Sequence, residues 1–199
     1  GLILGLGLSI GLIFVIEFFD NTVKSIDELD KKGLTILALI PAIAGVYVDP
    51  KKRSKRYQKK MGNAQRIQRR LVTREDPKSP VSEAYRSLRT NLLYTKTSQK
   101  EGNVILVSSA GQGEGKTTTI VNLAITYANL GKKTILVDAD LRKPVIHNIF
   151  NVDREPGVTA YLSGIETDYK SLINETGIDN LSLIICGVVP PNPSEILAS

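Results

Sequence analysis

The sequence has no tryptophan, and cysteine, histidine and methionine each occur once. With Cys186 alone an intrachain disulfide is impossible, which fits a reducing compartment without establishing one. His147 has no cysteine or carboxylate at ligand spacing, so no zinc cluster is readable and the residue is taken as structural. Cys186 lies in an apolar run and reads as a core residue. No nucleophile–base pair, internal repeat or dinucleotide G-x-G-x-x-G is evident. Acidic residues are missing from 51–70, where Lys51, Lys52, Arg53, Lys55, Arg56, Lys59, Lys60, Arg66, Arg69 and Arg70 supply ten positive charges. Removing those ten from the formal charge of +6 leaves 6 − 10 = −4, so basicity belongs to one segment and not to the fold.

What is present first is an apolar run. Residues 1–16 are apolar or small, and Glu17 interrupts them before Phe18 and Phe19. Such a run falls short of the roughly 20 residues that span a bilayer as a helix. A chain cut inside its own membrane segment has this form; a buried core helix is the alternative. No basic residue precedes the run and no small-x-small cleavage site follows, against a signal peptide. Gly1, Gly5, Gly7 and Gly11 are small residues that suit close helix packing in lipid, or are plain membrane filler. The chain starts without an initiator methionine and stops at Ser199 just after a new helix start, so a piece of a longer protein is expected.

Lys24, Lys31 and Lys32 follow the run, and the positive-inside rule puts everything after Phe19 in the cytoplasm. Ser25-Ile26-Asp27-Glu28 has capping-box form and opens a short helix that Gly33 closes. Residues 34–40 read as a brief strand stopped by Pro41, and 46–80 as a linker with Pro77 and Pro80. Ten cations beside a membrane helix adhere to an anionic leaflet, at about 1 kcal/mol per residue near the surface. Nucleic acid is the rival partner, but only Tyr57 is there to stack on a base, so none is expected; a merely solvated linker is the third reading.

From Val81 helices and strands alternate. Ala84, Leu88 and Leu92 recur every four residues, predicting an amphipathic helix over 82–95. Residues 104–108 read as a short buried strand. A helix is expected over 117–130, with Leu123, Ala124, Tyr127 and Leu130 inward and Gly131 at its end. Residues 134–137 read as a second buried strand, and Pro144 as the first-turn proline of a helix through Phe150. Residues 181–186 read as a third strand. Strand, helix and strand at this spacing imply an α/β fold with a parallel sheet and right-handed crossovers.

The strand over 104–107 runs into Ser108-Ser109-Ala110-Gly111-Gln112-Gly113-Glu114-Gly115-Lys116-Thr117, and a helix follows at once. This is the P-loop form G-x-x-x-x-G-K-[S/T] with Ala110 for the first glycine. Its glycines let backbone N–H groups wrap phosphate oxygens, and the helix N-terminus adds partial positive charge at the same point. Lys116 can bridge β- and γ-phosphates and the Thr117 hydroxyl can bind Mg²⁺, so ATP and Mg²⁺ are the expected cofactors. In Ile135-Leu136-Val137-Asp138-Ala139-Asp140 two carboxylates stand at a strand's carboxyl end, where ligands of open α/β sheets sit. One can hold Mg²⁺ or its waters while the other accepts a proton from an attacking hydroxyl. The alternative is an aspartate that only caps the next turn. Arg142 and Lys143 follow and can meet phosphate charge.

Together these residues resemble a family. P-loop, apolar-strand D-x-D and Arg142-Lys143-Pro144 are similar to the bacterial tyrosine kinases of capsular and exopolysaccharide synthesis, whose D-x-D is called Walker A′. Glu83-Ala84-Tyr85-Arg86-Ser87-Leu88-Arg89 resembles that family's E-x-x-R-x-x-R helix, and Pro190-Pro191-Asn192-Pro193-Ser194-Glu195 its P-P-N-P-S-E segment. The apolar run and Phe19-Asp20-Asn21-Thr22 look like the end of the chain-length regulator to which many of these kinases are fused.

The resemblance implies a P-loop NTPase-like sheet with flanking helices over 81–199, after a partial transmembrane helix over 1–19, a juxtamembrane segment over 20–45 and the basic linker over 46–80. It implies ATP-dependent tyrosine phosphorylation in trans within a ring, in contact with the polysaccharide export machinery at the inner membrane. Gly111, Gln112, Gly113, Glu114, Gly115, Lys116, Thr117 and Thr118 then cradle the nucleotide. Lys116, Asp138 and Asp140 are catalytic, with Thr117, Asp138 and Asp140 on the metal. Glu83, Arg86 and Arg89 fall at the subunit interface; read from spacing alone they are solvated charges on one helix face. The family's Walker B strand and tyrosine-rich tail are not found before Ser199, and Tyr47, Tyr57, Tyr85, Tyr94, Tyr127, Tyr161 and Tyr169 are scattered, so this stretch alone is expected to be inactive. Two other classes remain: a partitioning-type ATPase switch, disfavoured by Gly111 where that class has a signature lysine, and a non-catalytic, nucleotide-gated chain-length regulator.

Overall fold

The computed structural model describes residues 1–19, 26–43, 71–95 and 103–197. The basic block over 51–70, Tyr57, the capping residue Ser25 and the resemblance at 20–22 lie outside them. The chain forms two units, Gly1–Leu37 and Ala38–Ser199.

In the first unit, helix α1 (Leu2–Phe18) exposes apolar side chains, among them Leu12, Ile13, Phe14 and Ile16. Among the described residues no helix is long and apolar enough to cross a membrane. Helix α2 (Ile26–Lys31) has Asp27 and Glu28 in its first turn and Lys31 in its last, complementing the helix dipole. Gly33 closes it with φ +71°, as expected, while the amides of Gly33 and Leu34 return to Asp30 O and Leu29 O. The strand expected over 34–40 does not form. Its apolar residues give it the propensity, but a strand also needs a partner for its amides, and no ladder reaches it among the described residues.

In the second unit, β1 (Thr134–Val137) pairs in parallel with β3 (Leu181–Ile184), with Thr134 opposite Leu181 and Val137 opposite Ile184. A short strand absent from the sequence reading, β2 (Ile173–Glu175), adds to the other edge of β3 antiparallel, giving the order β1-β3-β2 among the described residues. Helix α5 (Lys116–Ala128) covers one face of this sheet. Val121, Ala124, Ile125 and Ala128 meet Leu136, Leu181, Leu183 and Ile185 in the core, joined by Ile146 and Ile149 of α6 (Ile146–Phe150).

Several expectations are corrected here. β1 is not buried on both faces: Leu136 points into the core while Ile135 and Val137 stay exposed, the period-2 alternation of a half-covered strand. Residues 104–108 form no strand, and Val104 and Leu106 are 98% and 85% exposed. Helix α5 ends at Ala128, two residues early, leaving Leu130 outside, although Gly131 terminates the turn as expected with φ +78°. Pro144 lies ahead of α6, whose N-cap is Val145.

Helix α4 (Pro80–Tyr94) matches the expected amphipathic helix, started by Ser79, which accepts the Ser82 amide, and by Pro80 in the first turn. Its buried face centres on Val81, Ser82 and Tyr85. The last part of the segment read as linker is anchored. Leu71 enters the core, and α3 (Val72–Glu75) is held to α5 through the buried Asn122. The Asn122 Oδ1 accepts from the Thr73 amide and hydroxyl, both at 2.9 Å, and its Nδ2 donates to Thr118 O at 2.8 Å. An orphaned buried donor costs about 1–3 kcal/mol. Asn122→Leu, which strands the two Thr73 donors, is expected to lower stability by about 2–4 kcal/mol in urea unfolding. A loss under about 0.5 kcal/mol would show that this pair does not anchor α3.

Candidate functional site

The glycine-rich loop joins residues 103–109, which form no regular element, to the N-terminus of α5. Gly113 and Gly115 have φ +80° and +96°, a left-handed conformation costly for other residues, which lets successive amides turn to one side. Gly115 is the N-cap of α5 and offers no side chain, so the helix's first amides have no internal side-chain partner there. Thr117 and Thr118 follow in the first turn, half-buried.

Lys116 folds back into the loop. Its Nζ donates to Gly111 O at 2.6 Å and to Ser109 Oγ at 2.8 Å. The Gly111 amide donates to Glu114 Oε2 at 2.9 Å. Hydrogen bonds from Ser109 and then Gly111, with the nearby Lys116 charge, hold the Glu114 carboxyl below the usual range. Gly111 suits this arrangement because a Cβ there would lie 2.7 Å from Glu114 Oε1.

The second constellation follows β1. Asp138 is 3% exposed, and its two oxygens accept from the Asp140 amide at 3.2 Å and the Ile146 amide at 3.1 Å, which ties β1 to the start of α6. Asp140 is exposed, and one oxygen accepts from the Arg142 and Lys143 amides at 3.1 and 2.9 Å. Both aspartates therefore cap the following turn, the local role weighed against a chemical one. The two constellations meet through Lys143, whose Nζ donates to Gln112 Oε1 at 3.0 Å. Burial raises the pKa of Asp138, against the amide hydrogen bonds and aided by the Asp140 charge. Burial beside these carboxylates pushes the Cys186 thiol up to about 11, consistent with an inert core cysteine.

Among the described residues no group of three or more His, Cys, Asp or Glu could hold a metal by itself. The donors that are present, one hydroxyl and two carboxylates, are hard oxygen ligands that fit Mg²⁺ shared with substrate phosphates. Ser109 is a site residue the sequence reading missed, since its only signal is its place beside the loop.

The expected interface triplet is engaged within the chain. Arg86 pairs with Glu83 at 2.7 Å and donates to Pro77 O at 2.8 Å. Arg89 reaches across to Thr126 O of α5 at 2.7 Å. Arg89 is thus a strut between helices and not one charge of a solvated face.

Comparison with known proteins places this geometry. Residues 100–183 match the family model described as ParA, NUBPL iron-transfer P-loop NTPase. The chain is 38% identical over 134 residues to the tyrosine-protein kinase YwqD of Bacillus subtilis, covering 67% of this chain and 56% of that one. It is 31% identical over 200 residues to the tyrosine-protein kinase etk of Escherichia coli K12, covering 99% of this chain and 27% of that one. The solved kinase domain of the E. coli tyrosine kinase ETK superposes with a TM-score of 0.71 at 29% identity, covering 88% of this chain and 65% of that one. The chimerical protein CapA2B2 gives 0.68 at 32% identity, covering 88% and 66%. The chain thus spans about half the length of the Bacillus relative and about a quarter of the Escherichia one.

The buried aspartate sets a pH test. Its folded pKa lies above its unfolded value, so its contribution to stability is full below the ordinary 3.8 and is lost as pH rises through the raised value. Without nucleotide or metal, wild type is expected to gain stability relative to Asp138→Asn as pH falls through that window, measured by urea unfolding. A difference independent of pH would contradict the burial of an ionisable carboxyl.

Proposed function

We propose, because this chain belongs to the family of bacterial tyrosine-protein kinases, that the full-length protein is an ATP-dependent protein-tyrosine kinase acting in capsular or exopolysaccharide synthesis. One observation carries the reading. A glycine loop at the N-terminus of α5 holds its lysine inward, in a chain 38% identical to a named tyrosine-protein kinase.

Phosphoryl transfer of this type is driven by positioning and by neutralising charge rather than by covalent chemistry. The loop amides of residues 112–118 and the α5 N-terminus take the phosphate oxygens, the Gly111 amide being held by Glu114, and Lys116 spans the β- and γ-phosphates. Thr117, Asp138 and Asp140 would hold Mg²⁺ directly or through its waters, and the bound ion would offset the charge on those phosphates. Of Asp138 and Asp140, the carboxylate that does not ligate the ion directly would accept the tyrosine hydroxyl proton. Asp140, exposed at the turn, is better placed for metal-bound water.

The finer assignments are part of the same proposal. Residues 1–19 are read as the end of a transmembrane helix, 20–45 as juxtamembrane, and 81–199 as the N-terminal part of the kinase domain. The basic block over 51–70, ahead of the anchored Leu71, lies on an anionic inner leaflet, with residues beyond 19 cytoplasmic. Subunits phosphorylate one another in a homo-oligomeric ring through α4, with Glu83, Arg86 and Arg89 at the contact, and the polysaccharide export machinery is the partner. The match to the ParA model favours one rival, an ATPase switch of the wider P-loop class. Gly111 stands at the position of that class's signature lysine and counts against it.

The test uses the full-length protein with ATP and Mg²⁺, probed for phosphotyrosine in membrane and soluble fractions beside Lys116→Ala. Lys116-dependent phosphotyrosine in the membrane fraction is expected. Signal undiminished in the mutant would overturn the site. Lys116-dependent ADP release without phosphotyrosine would favour the ATPase switch, and kinase recovered wholly in the soluble fraction would overturn the membrane assignment.

A further inference from the structure

The sequence of the loop accounts for its glycines, its lysine and its threonine, but not for an acid at position 114. A carboxylate close to a site for a polyanion opposes binding by simple charge repulsion. In the structure Glu114 is engaged instead with the loop's own backbone.

Four groups form a closed set. Lys116 Nζ donates to Ser109 Oγ and to Gly111 O, at 2.8 and 2.6 Å. The Ser109 hydroxyl also donates to Gly111 O at 3.1 Å. The Gly111 amide donates to Glu114 Oε2 at 2.9 Å. An ammonium has three donors, so two are used here and one is left for a ligand. A free lysine has many rotamers, and those lost on binding weaken it.

We infer that Ser109 and Glu114 are positioning residues that hold the Lys116 ammonium and the first limb of the loop in place for a nucleotide phosphate. This rests on the nucleotide-binding reading of the loop and deepens it. Glu114 fixes Gly111, Gly111 and Ser109 hold Lys116, and the lysine waits with a donor unspent. Neither Ser109 nor Glu114 touches the reacting atoms; both act through Lys116.

The charge and brace effects of Glu114 have opposite signs, which makes the inference testable. MgADP affinity is measured by calorimetry on the full-length protein and on Glu114→Ala, Glu114→Gln and Ser109→Ala, with melting temperatures alongside. The expectation is a roughly tenfold weaker affinity for Glu114→Ala, the scale of one lost charge-assisted hydrogen bond. Glu114→Gln, which keeps an acceptor for the Gly111 amide, should recover most of it, and Ser109→Ala should weaken binding several-fold, all at unchanged melting temperature. Tighter or unchanged binding by Glu114→Ala would overturn the brace and leave Glu114 as a repelling charge. Weakening matched by a fall in melting temperature in every variant would overturn it as mere loss of fold. Wild type that binds no MgADP would overturn the nucleotide reading itself, and the inference with it.

Discussion

Helix α5 is the element on which the second unit depends. Its inner face, Val121, Ala124, Ile125 and Ala128, closes the core against β1 and β3. Its flank holds α3 through Asn122 and α4 through Arg89. Its first turn follows directly from the glycine loop. One rod thus joins the apolar packing to the phosphate-binding end, so loop position is set by core packing and not by the loop's own few contacts. Asn122 ties these roles together, because the residue that binds Thr73 also holds the carbonyl of Thr118 in the turn after Lys116.

Polar groups in the site have two uses. Asp138 and Asp140 accept the amides that start the turn and α6, and these hydrogen bonds place the carboxylates at the end of β1. Burying Asp138 costs free energy that its amide partners only partly offset, and a site that binds cations and moves protons is a common place for such a cost. Lys143, reaching from this turn to Gln112, links the two halves of the site across the sheet end. Chemistry and structure share atoms here, so loss of a carboxylate disturbs both.

The loop, its lysine and the aspartate pair were legible in the sequence because their signal is local: glycine spacing, a helix at once after, and an apolar strand before D-x-D. Element order led to the expectation of a parallel sheet, and β1 and β3 do pair in parallel, but which strands pair was not legible in it. What the sequence hid depends on neighbours. Residues 104–108 have the apolar composition of a strand, but pairing is a property of two segments, and none pairs with them among the described residues. β2 is three residues with no apolar run to announce it. Thr73 and Leu71 looked like linker because one buried hydrogen-bonding partner, Asn122, lies 49 positions further along from Thr73. From spacing alone Arg89 reads as a solvated charge, and from the resemblance as an interface residue, since neither says anything of a carbonyl on another helix.

The central claim is that the loop before α5 receives a nucleotide's phosphates. Amide hydrogen exchange in the full-length protein, with and without MgADP, addresses it most directly. The account predicts slowed exchange at residues 113–118 and at the turn over 140–143, with little change in β2. Protection confined to other segments, or none at 113–118 under saturating MgADP, would contradict it.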